Sequence, residues 1–518
     1  MPRIAILIIV GLTGSLVAAL VGGLKLKFIV AFVALLPMLV LFLSLRTSER
    51  VEKLLVIFLA LSIPLNLAKG FLFRFHFGGA PAIMISASTL CVIALVLVWL
   101  YRYRVGIVRP LIVMQRRMIW ASLIYMTAGV LSLWNADDRT LVVLEEIRLA
   151  TLLVTMLVVM NFRTPELLRT FVFYLTVAVF MQGALATAQF LTHSPLGMQI
   201  FGAESELVSL DIGIKATRPT GTTGHPNVLG YFLASSLPLS LALLLVEKRM
   251  LLRFWYAATF LTTIAGLVVT LSRGAWITVP FSCAFTVWVL YRKRLFKLSG
   301  ALAVSIVGAA MAVALSLAMP TIVKRFSHHD YQSAATRWPL NHGALALIRE
   351  HPILGVGLNN FGEAFQRHDK TGNARKFMMP VIPEAAAVTS QAIDYVPYKQ
   401  VVHNIILWVW AEVGTVGLLA FLWVFGSAFL TAQRAYPRAD EWSRAVLVAC
   451  SAGMMAHFIQ AQIDPGFRVS VSVSMLFYSM FGLIGAIALQ QRRAPARETI
   501  PSTTQYGENL VRRQALTT

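Results

Sequence analysis

The sequence predicts an all-α, polytopic integral membrane protein with about fourteen transmembrane helices and one large helical loop on the outer side. Three observations lead there. Of 518 residues, 58% are hydrophobic and only 13% charged, at a mean hydropathy of +0.73. The apolar residues come in runs of roughly 17–25, long enough to cross about 30 Å of hydrocarbon, rather than in the stripes of soluble helices. The short loops between runs are alternately rich and poor in Lys and Arg, as expected of a chain threading back and forth across a membrane.

The expected spans are residues 4–24, 28–45, 54–68, 80–100, 118–134, 141–160, 170–191, 227–246, 254–271, 275–290, 298–319, 405–432, 445–461 and 471–489. The first is long and runs straight into Lys25-Leu26-Lys27 and another apolar run, so it is read as retained rather than cleaved. Basic loops follow every second span, among them the runs around Arg46/Arg50/Lys53, Arg116/Arg117, Lys248/Arg249 and Arg292/Lys293/Arg294. An even number of spans puts both termini with these loops in the cytoplasm. The net charge of +22 is thereby explained by loops that meet anionic membrane lipid. No soluble basic face is available for nucleic acid. Cys91, Cys283 and Cys450 all fall within apolar spans and read as small buried hydrophobes, without metal or disulfide spacing.

Two outer segments exceed turn length, 192–226 and 320–402. In the larger one a helix is expected over 335–349, ending before His351-Pro352, and a second begins near Asn360. Residues 377–399, with three prolines and little periodicity, read as a flap. The polar, basic 490–518 segment reads as a disordered tail. The chain thus divides into N-terminal helices (1–191), a second membrane region (192–489) containing the 320–402 loop, and that tail.

Three ionisable residues fall at outer span mouths, where charge is costly without a partner or a task. Arg218 lies in Thr217-Arg218-Pro219-Thr220-Gly221-Thr222-Thr223-Gly224-His225-Pro226-Asn227. Its guanidinium matches phosphate oxygens, Gly221 and Gly224 could turn backbone N–H groups inward, and the helix starting at Pro226 would add partial positive charge. A snorkelling arginine at lipid head groups is the alternative. Arg273, in the tight Ser272-Arg273-Gly274 turn, sits on the outer side, where topogenic arginines do not belong. His403, followed by Asn404, offers an imidazole that accepts a proton near neutral pH, or else a helix cap. His225 and Arg337 are further candidates for substrate contact. Glu412 lies inside a span, either functional or paired with an arginine. Glu145, Glu146 and Arg148 read as a local ion-pair cluster. His328-His329-Asp330 is a poor metal site, because adjacent histidines seldom face one ion.

Several of these stretches, in order, resemble the bacterial O-antigen ligase and Wzy-type polysaccharide polymerase superfamily. They are the Arg218 stretch with His-Pro-Asn, the Ser-Arg-Gly-Ala-Trp turn, the 351–357 segment His-Pro-Ile-Leu-Gly-Val-Gly, and His403-Asn404 followed by Ala411-Glu412-Val413-Gly414. The likeness is densest over 216–421. It implies a metal-independent inverting glycosyltransferase in the bacterial inner membrane, with its site facing the periplasm and no cofactor. The implied donor is a glycan on undecaprenyl diphosphate. The implied acceptor is a saccharide, in a polymerase, or the lipid A core, in a ligase. Its implied roles fall on Arg218 and Arg273 as the diphosphate clamp and His403 as the base, with His225, Arg337 and Asn404 as substrate contacts. Family members often have about twelve spans, fewer than counted here. The His225-Pro226-Asn227 form favours a polymerase. A transporter of anionic lipid would also want arginines, but along a route through the membrane; a non-catalytic scaffold would tolerate Arg273→Lys.

Overall fold

The computed structural model describes residues 49–74, 76, 78–104, 116–162, 164–204, 207–211, 215–291, 319, 323, 331–368 and 401–493. The spans expected at 4–24 and 28–45 lie outside these residues, as does 298–319 but for its last residue. The 377–399 segment, His328-His329-Asp330 and most of the 490–518 tail also lie outside them.

Within the described residues the chain is an all-α membrane protein with two small hairpins. The elements are α1 (Glu49–Ser62), β1 (Ala68–Phe71), β2 (Ile83–Ser86), α2 (Ala87–Arg104), α3 (Arg116–Leu131), α4 (Arg139–Met160) and α5 (Pro165–Thr192). They continue with β3 (Val208–Asp211), β4 (Lys215–Arg218), α6 (Pro226–Val246), α7 (Met250–Val269), α8 (Arg273–Tyr291), α9 (Tyr331–Glu350) and α10 (Phe361–His368). The last are α11 (Ile405–Ala435), α12 (Glu441–Gln460), α13 (Gly466–Val469) and α14 (Val471–Arg493). Eight of the described helices are long and apolar enough to cross a membrane. α4 is 22 residues long but is set apart by its internal Glu145, Glu146 and Arg148.

Local chemistry sets the helix starts. Asp138, Thr164, Asn404 and Asp440 each cap the helix that follows by accepting from its first-turn amides, and Pro165 and Pro226 open α5 and α6. The span expected at 54–68 differs from expectation. α1 starts earlier and stops at Ser62, two residues before Pro64, and its 14 residues cover about 21 Å at 1.5 Å each. The chain then enters β1, which pairs antiparallel with β2 in the register Ala68↔Ser86. Likewise Ile83-Met84-Ile85, counted at sequence level into the next span, form β2, and α2 begins only at Ala87. The expected loop helices are present as α9 and α10, and α9 does end at the residue before His351-Pro352.

α6 and α14 lie at the centre, with 89% and 94% of their most apolar windows buried. α6 packs against α7, α8 and α12; α14 packs against α4; α3 packs against α11; and α5 packs against α1 and α7. Small residues allow the closest crossings, as in other membrane bundles. A Cβ on Gly266 of α7 would lie 2.8 Å from the Cα of Gly183 on α5.

α11 is broken at Gly414, whose φ of 65° and ψ of −171° are non-helical. The break turns the carbonyls of Ala411 and Glu412 outward, where they accept from Val356 N (2.9 Å) and Gly357 N (3.0 Å). Thr415 N donates in turn to Pro352 O at 2.9 Å. The 352–357 loop therefore threads into the break like a short strand, and the glycine is required because a Cβ there would overlap the Ile353 carbonyl.

The Glu412 carboxylate accepts from Asn359 N (2.9 Å), Phe361 N (3.2 Å) and Trp408 Nε1 (2.7 Å), and pairs with Arg468. Arg468 also reaches Glu145 at 3.3 Å and lies over the Trp408 ring at 4.2 Å. Glu145 accepts from Arg148 Nε (2.9 Å) and from Ala80 N (2.9 Å), so the β1–β2 loop joins the same knot. Glu412 thus takes the arginine-paired reading rather than that of an isolated intramembrane acid. Arg468, Glu145 and Glu412 are each 3% exposed or less. Removing the cation would leave the buried Glu412 carboxylate without its charge partner, while Glu145 keeps Arg148. Arg468→Met is therefore expected to lower stability by about 3–5 kcal/mol, seen as a depressed unfolding temperature of the detergent-purified protein.

Candidate functional site

The loop before α6 is held by two glutamines of α5. Gln182 Oε1 accepts from Thr222 N (3.0 Å), and Gln189 Oε1 accepts from Gly221 N (2.9 Å). Thr223 N donates to Thr220 O, and Asn227 N donates to the His225 imidazole Nδ1 at 3.1 Å. This corrects an expectation: the amides of Gly221 and Thr222 are bonded within the protein rather than turned toward an anion. The glutamines of α5 take them because the loop is buried there and its backbone donors must be paired.

That scaffold fixes Arg218 at the end of β4. The residue is only 7% exposed, unlike a snorkelling arginine. Its Nε donates to Thr270 O (2.9 Å) and its Nη2 donates to Asn227 Oδ1 (2.6 Å). Thr270 closes α7, three residues before Arg273, which opens α8 and is half-buried. Leu271, at φ 54°, makes the sharp reversal between the two helices. Arg218 thus reaches the turn that presents Arg273, and the two arginine-bearing segments meet at one end of the bundle.

The start of α11, which carries His403, is tied to the turn that carries Asp464. Ile405 N donates to Ala461 O at 2.9 Å, which ties the start of α11 to the α12–α13 turn. Asp464 sits on that turn and accepts from Asn227 Nδ2 at 3.2 Å. Asn227 therefore bridges the Arg218 guanidinium and the Asp464 carboxylate. The same carboxylate acts electrostatically on both His403 and His225. Arg337, half-buried on α9 with its Nε unpartnered among the described residues, acts on His403 from the loop side. Asn404 has a different place: its side-chain oxygen caps α11 by accepting from Leu407 N at 3.0 Å. It positions its neighbour His403, and the cap is the asparagine rather than the histidine.

Sequence reasoning missed Asp464 and Asn227. Asp464 occupies a short loop that reads only as poor in positive charge, and Asn227 looks like an ordinary second helical residue. The available signal was Asp464 itself, an anion on the outer side where the three ionisable candidates were counted.

The electrostatics favour a neutral imidazole at His403. Burial pulls its pKa below the usual histidine value; the Asp464 carboxylate works against this, and the Arg337 guanidinium adds to it. Its Nδ1 is buried without a partner among the described residues. At His225, desolvation and the nearby Arg218 guanidinium likewise lower the pKa against Asp464. A neutral His403 can accept a proton at pH 7, and the Arg337 guanidinium that acts on it is a group suited to oxyanions. Titrating the imidazole by NMR of histidine-labelled protein should give a His403 midpoint below 6.5. Asp464→Asn removes the anion that favours the charged form, so the midpoint should move lower still. A midpoint above 6.5, or an upward move, would contradict this electrostatic picture.

The family model described as O-antigen ligase matches residues 258–422. The matched stretch runs from within α7 through Arg273, Arg337 and His403 into α11, and so takes in the Gly414 break and its inserted loop. No curated protein matches the chain. The match over residues 258–422 supports the resemblance to the O-antigen ligase and Wzy-type superfamily, in a chain whose described residues include eight helices long and apolar enough to cross a membrane.

Proposed function

We propose that this protein is a bacterial inner-membrane glycosyltransferase that polymerises undecaprenyl-diphosphate-linked glycan on the periplasmic face, within the region 192–489. The observation behind this reading is the run of hydrogen bonds from the Arg273 turn through Arg218 and Asn227 to Asp464, whose carboxylate acts electrostatically on His403. Breaking the bond between the anomeric carbon and phosphate oxygen develops negative charge on the leaving diphosphate. In this reading the guanidiniums of Arg218 and Arg273 stabilise that charge as it forms. Arg218 is already held by Thr270 O and Asn227, so little reorganisation is needed. His403 takes the proton from the acceptor hydroxyl as its oxygen attacks the anomeric carbon from the face opposite the diphosphate, inverting the configuration. A site at the bundle end lets the polyprenyl tail remain in hydrocarbon while the sugar reaches water.

The acceptor separates polymerase from ligase. Purified protein given lipid-linked repeat units should lengthen them without lipopolysaccharide; transfer only to the lipid A core would replace the polymerase reading with a ligase one. Arg218→Ala, Arg273→Ala and His403→Ala should each lower transfer roughly tenfold or more with membrane insertion intact. Arg273→Lys should also impair transfer, because an ammonium lacks the guanidinium fork. Full activity in any of these variants removes that residue from the reaction.

A further inference from the structure

Ahead of α6 the amides of Gly221, Thr222 and Thr223 are bonded within the protein, and α8 also starts at this end. In α8, Trp276 N donates to Ser272 O at 3.1 Å, so the amides of Gly274 and Ala275 precede the first intrahelical bond. α8 is 19 residues long, and its N-terminus carries the partial positive charge of an aligned helix. Against this turn lies Gln460, the last residue of α12. It is 1% exposed, and neither Oε1 nor Nε2 has a hydrogen-bond partner among the described residues. A Cβ on Gly274 would lie 3.4 Å from Gln460 Cγ and 3.7 Å from Nε2, so the side-chain amide rests on the first turn of α8.

A fully buried primary amide with no partner is costly, and such groups are nearly always paired in folded proteins. Here it stands beside a helix N-terminus and the turn that carries Arg273, on the turn that holds Asp464. A water molecule could satisfy the amide, but it would leave the positive end of α8 unanswered. A phosphate oxygen answers both, accepting from Nε2 and from the first-turn amides.

We propose that the first turn of α8, closed by the Gln460 side-chain amide, seats one phosphate of the lipid-linked diphosphate, and that Gln460 is a positioning residue for the leaving group. This rests on the glycosyltransferase reading above. Gly274 suits the role because no side chain stands between the amides and an approaching oxygen.

The test is binding of undecaprenyl diphosphate to the full chain in nanodiscs, with unfolding temperature without ligand as a second readout. Gln460→Leu keeps the bulk and removes the amide, so affinity should fall about tenfold while ligand-free stability holds or rises. Gln460→Glu should weaken binding further, because a carboxylate repels the phosphate. Binding within twofold of the parent protein in both variants overturns the proposal and assigns the amide to buried water. If Gln460→Leu proves unstable, Gln460→Glu decides alone, since the two side chains are nearly isosteric. Arg218→Ala separates this from the wider reading. If Arg218→Ala weakens binding but the Gln460 variants do not, only the Gln460 seat falls. If none of the variants weakens binding, the diphosphate clamp falls with it.

Discussion

The buried Arg468 guanidinium is the contact on which the rest of the structure depends. It pairs with Glu412 of α11 and Glu145 of α4, and stacks on Trp408. Glu412 in turn holds the backbone of Asn359 and Phe361, and Glu145 holds Ala80. One cation therefore fastens two membrane helices, the β1–β2 loop and the cap loop together. Its value lies in geometry, since a buried ion pair is at best a modest source of net stability. Arg468 N donates to Pro465 O at 2.9 Å, so the clamp also fixes the turn that carries Asp464 and follows Gln460.

From that turn the polar end of the bundle is built outward. Asp464 meets Asn227, Asn227 meets Arg218, and Arg218 meets the carbonyl that closes α7. The glutamines of α5 hold the loop behind Arg218, and the Asn404 cap holds His403 at the start of α11. Arg218 is fixed by groups on α6 and at the end of α7, and Asp464 by Asn227 on α6, so a change in helix packing would be felt at the site. Fixed dipoles and charges of this kind stabilise developing charge better than mobile water does, because they need not reorient. The Asp464 carboxylate works against burial at both imidazoles, while burial keeps His403 neutral.

Much of this was legible in the sequence, and the parts that were not share a physical reason. Apolar runs of spanning length gave most of the helices, and His351-Pro352 correctly ended α9 because the residue before proline avoids helical backbone. Arg218, Arg273 and His403 stood out because each interrupts an apolar pattern at a mouth. The short α1 and the β2 strand were hidden, since Ile83-Met84-Ile85 is as apolar as any span and only its pairing with β1 sets it apart. The break at Gly414 was hidden because its carbonyls are satisfied by Val356 and Gly357, more than fifty residues earlier in sequence. Asp464, Gln460 and Arg468 were hidden for the same cause: each is a polar residue near a helix end, where polar residues are ordinary, and only tertiary contacts give it a role. Gly221 misled in the opposite direction, since in a loop suited to anions in sequence its amide and that of Thr222 are taken by Gln189 and Gln182.

The most direct measurement is a cryo-electron microscopy map of the protein in nanodiscs with undecaprenyl diphosphate bound. Diphosphate density is expected between the Arg218 and Arg273 guanidiniums, at the end of the bundle that carries His403 and Asp464. Density at the opposite end of the helices, or a ligand that contacts one arginine while the other faces elsewhere, would contradict this expectation.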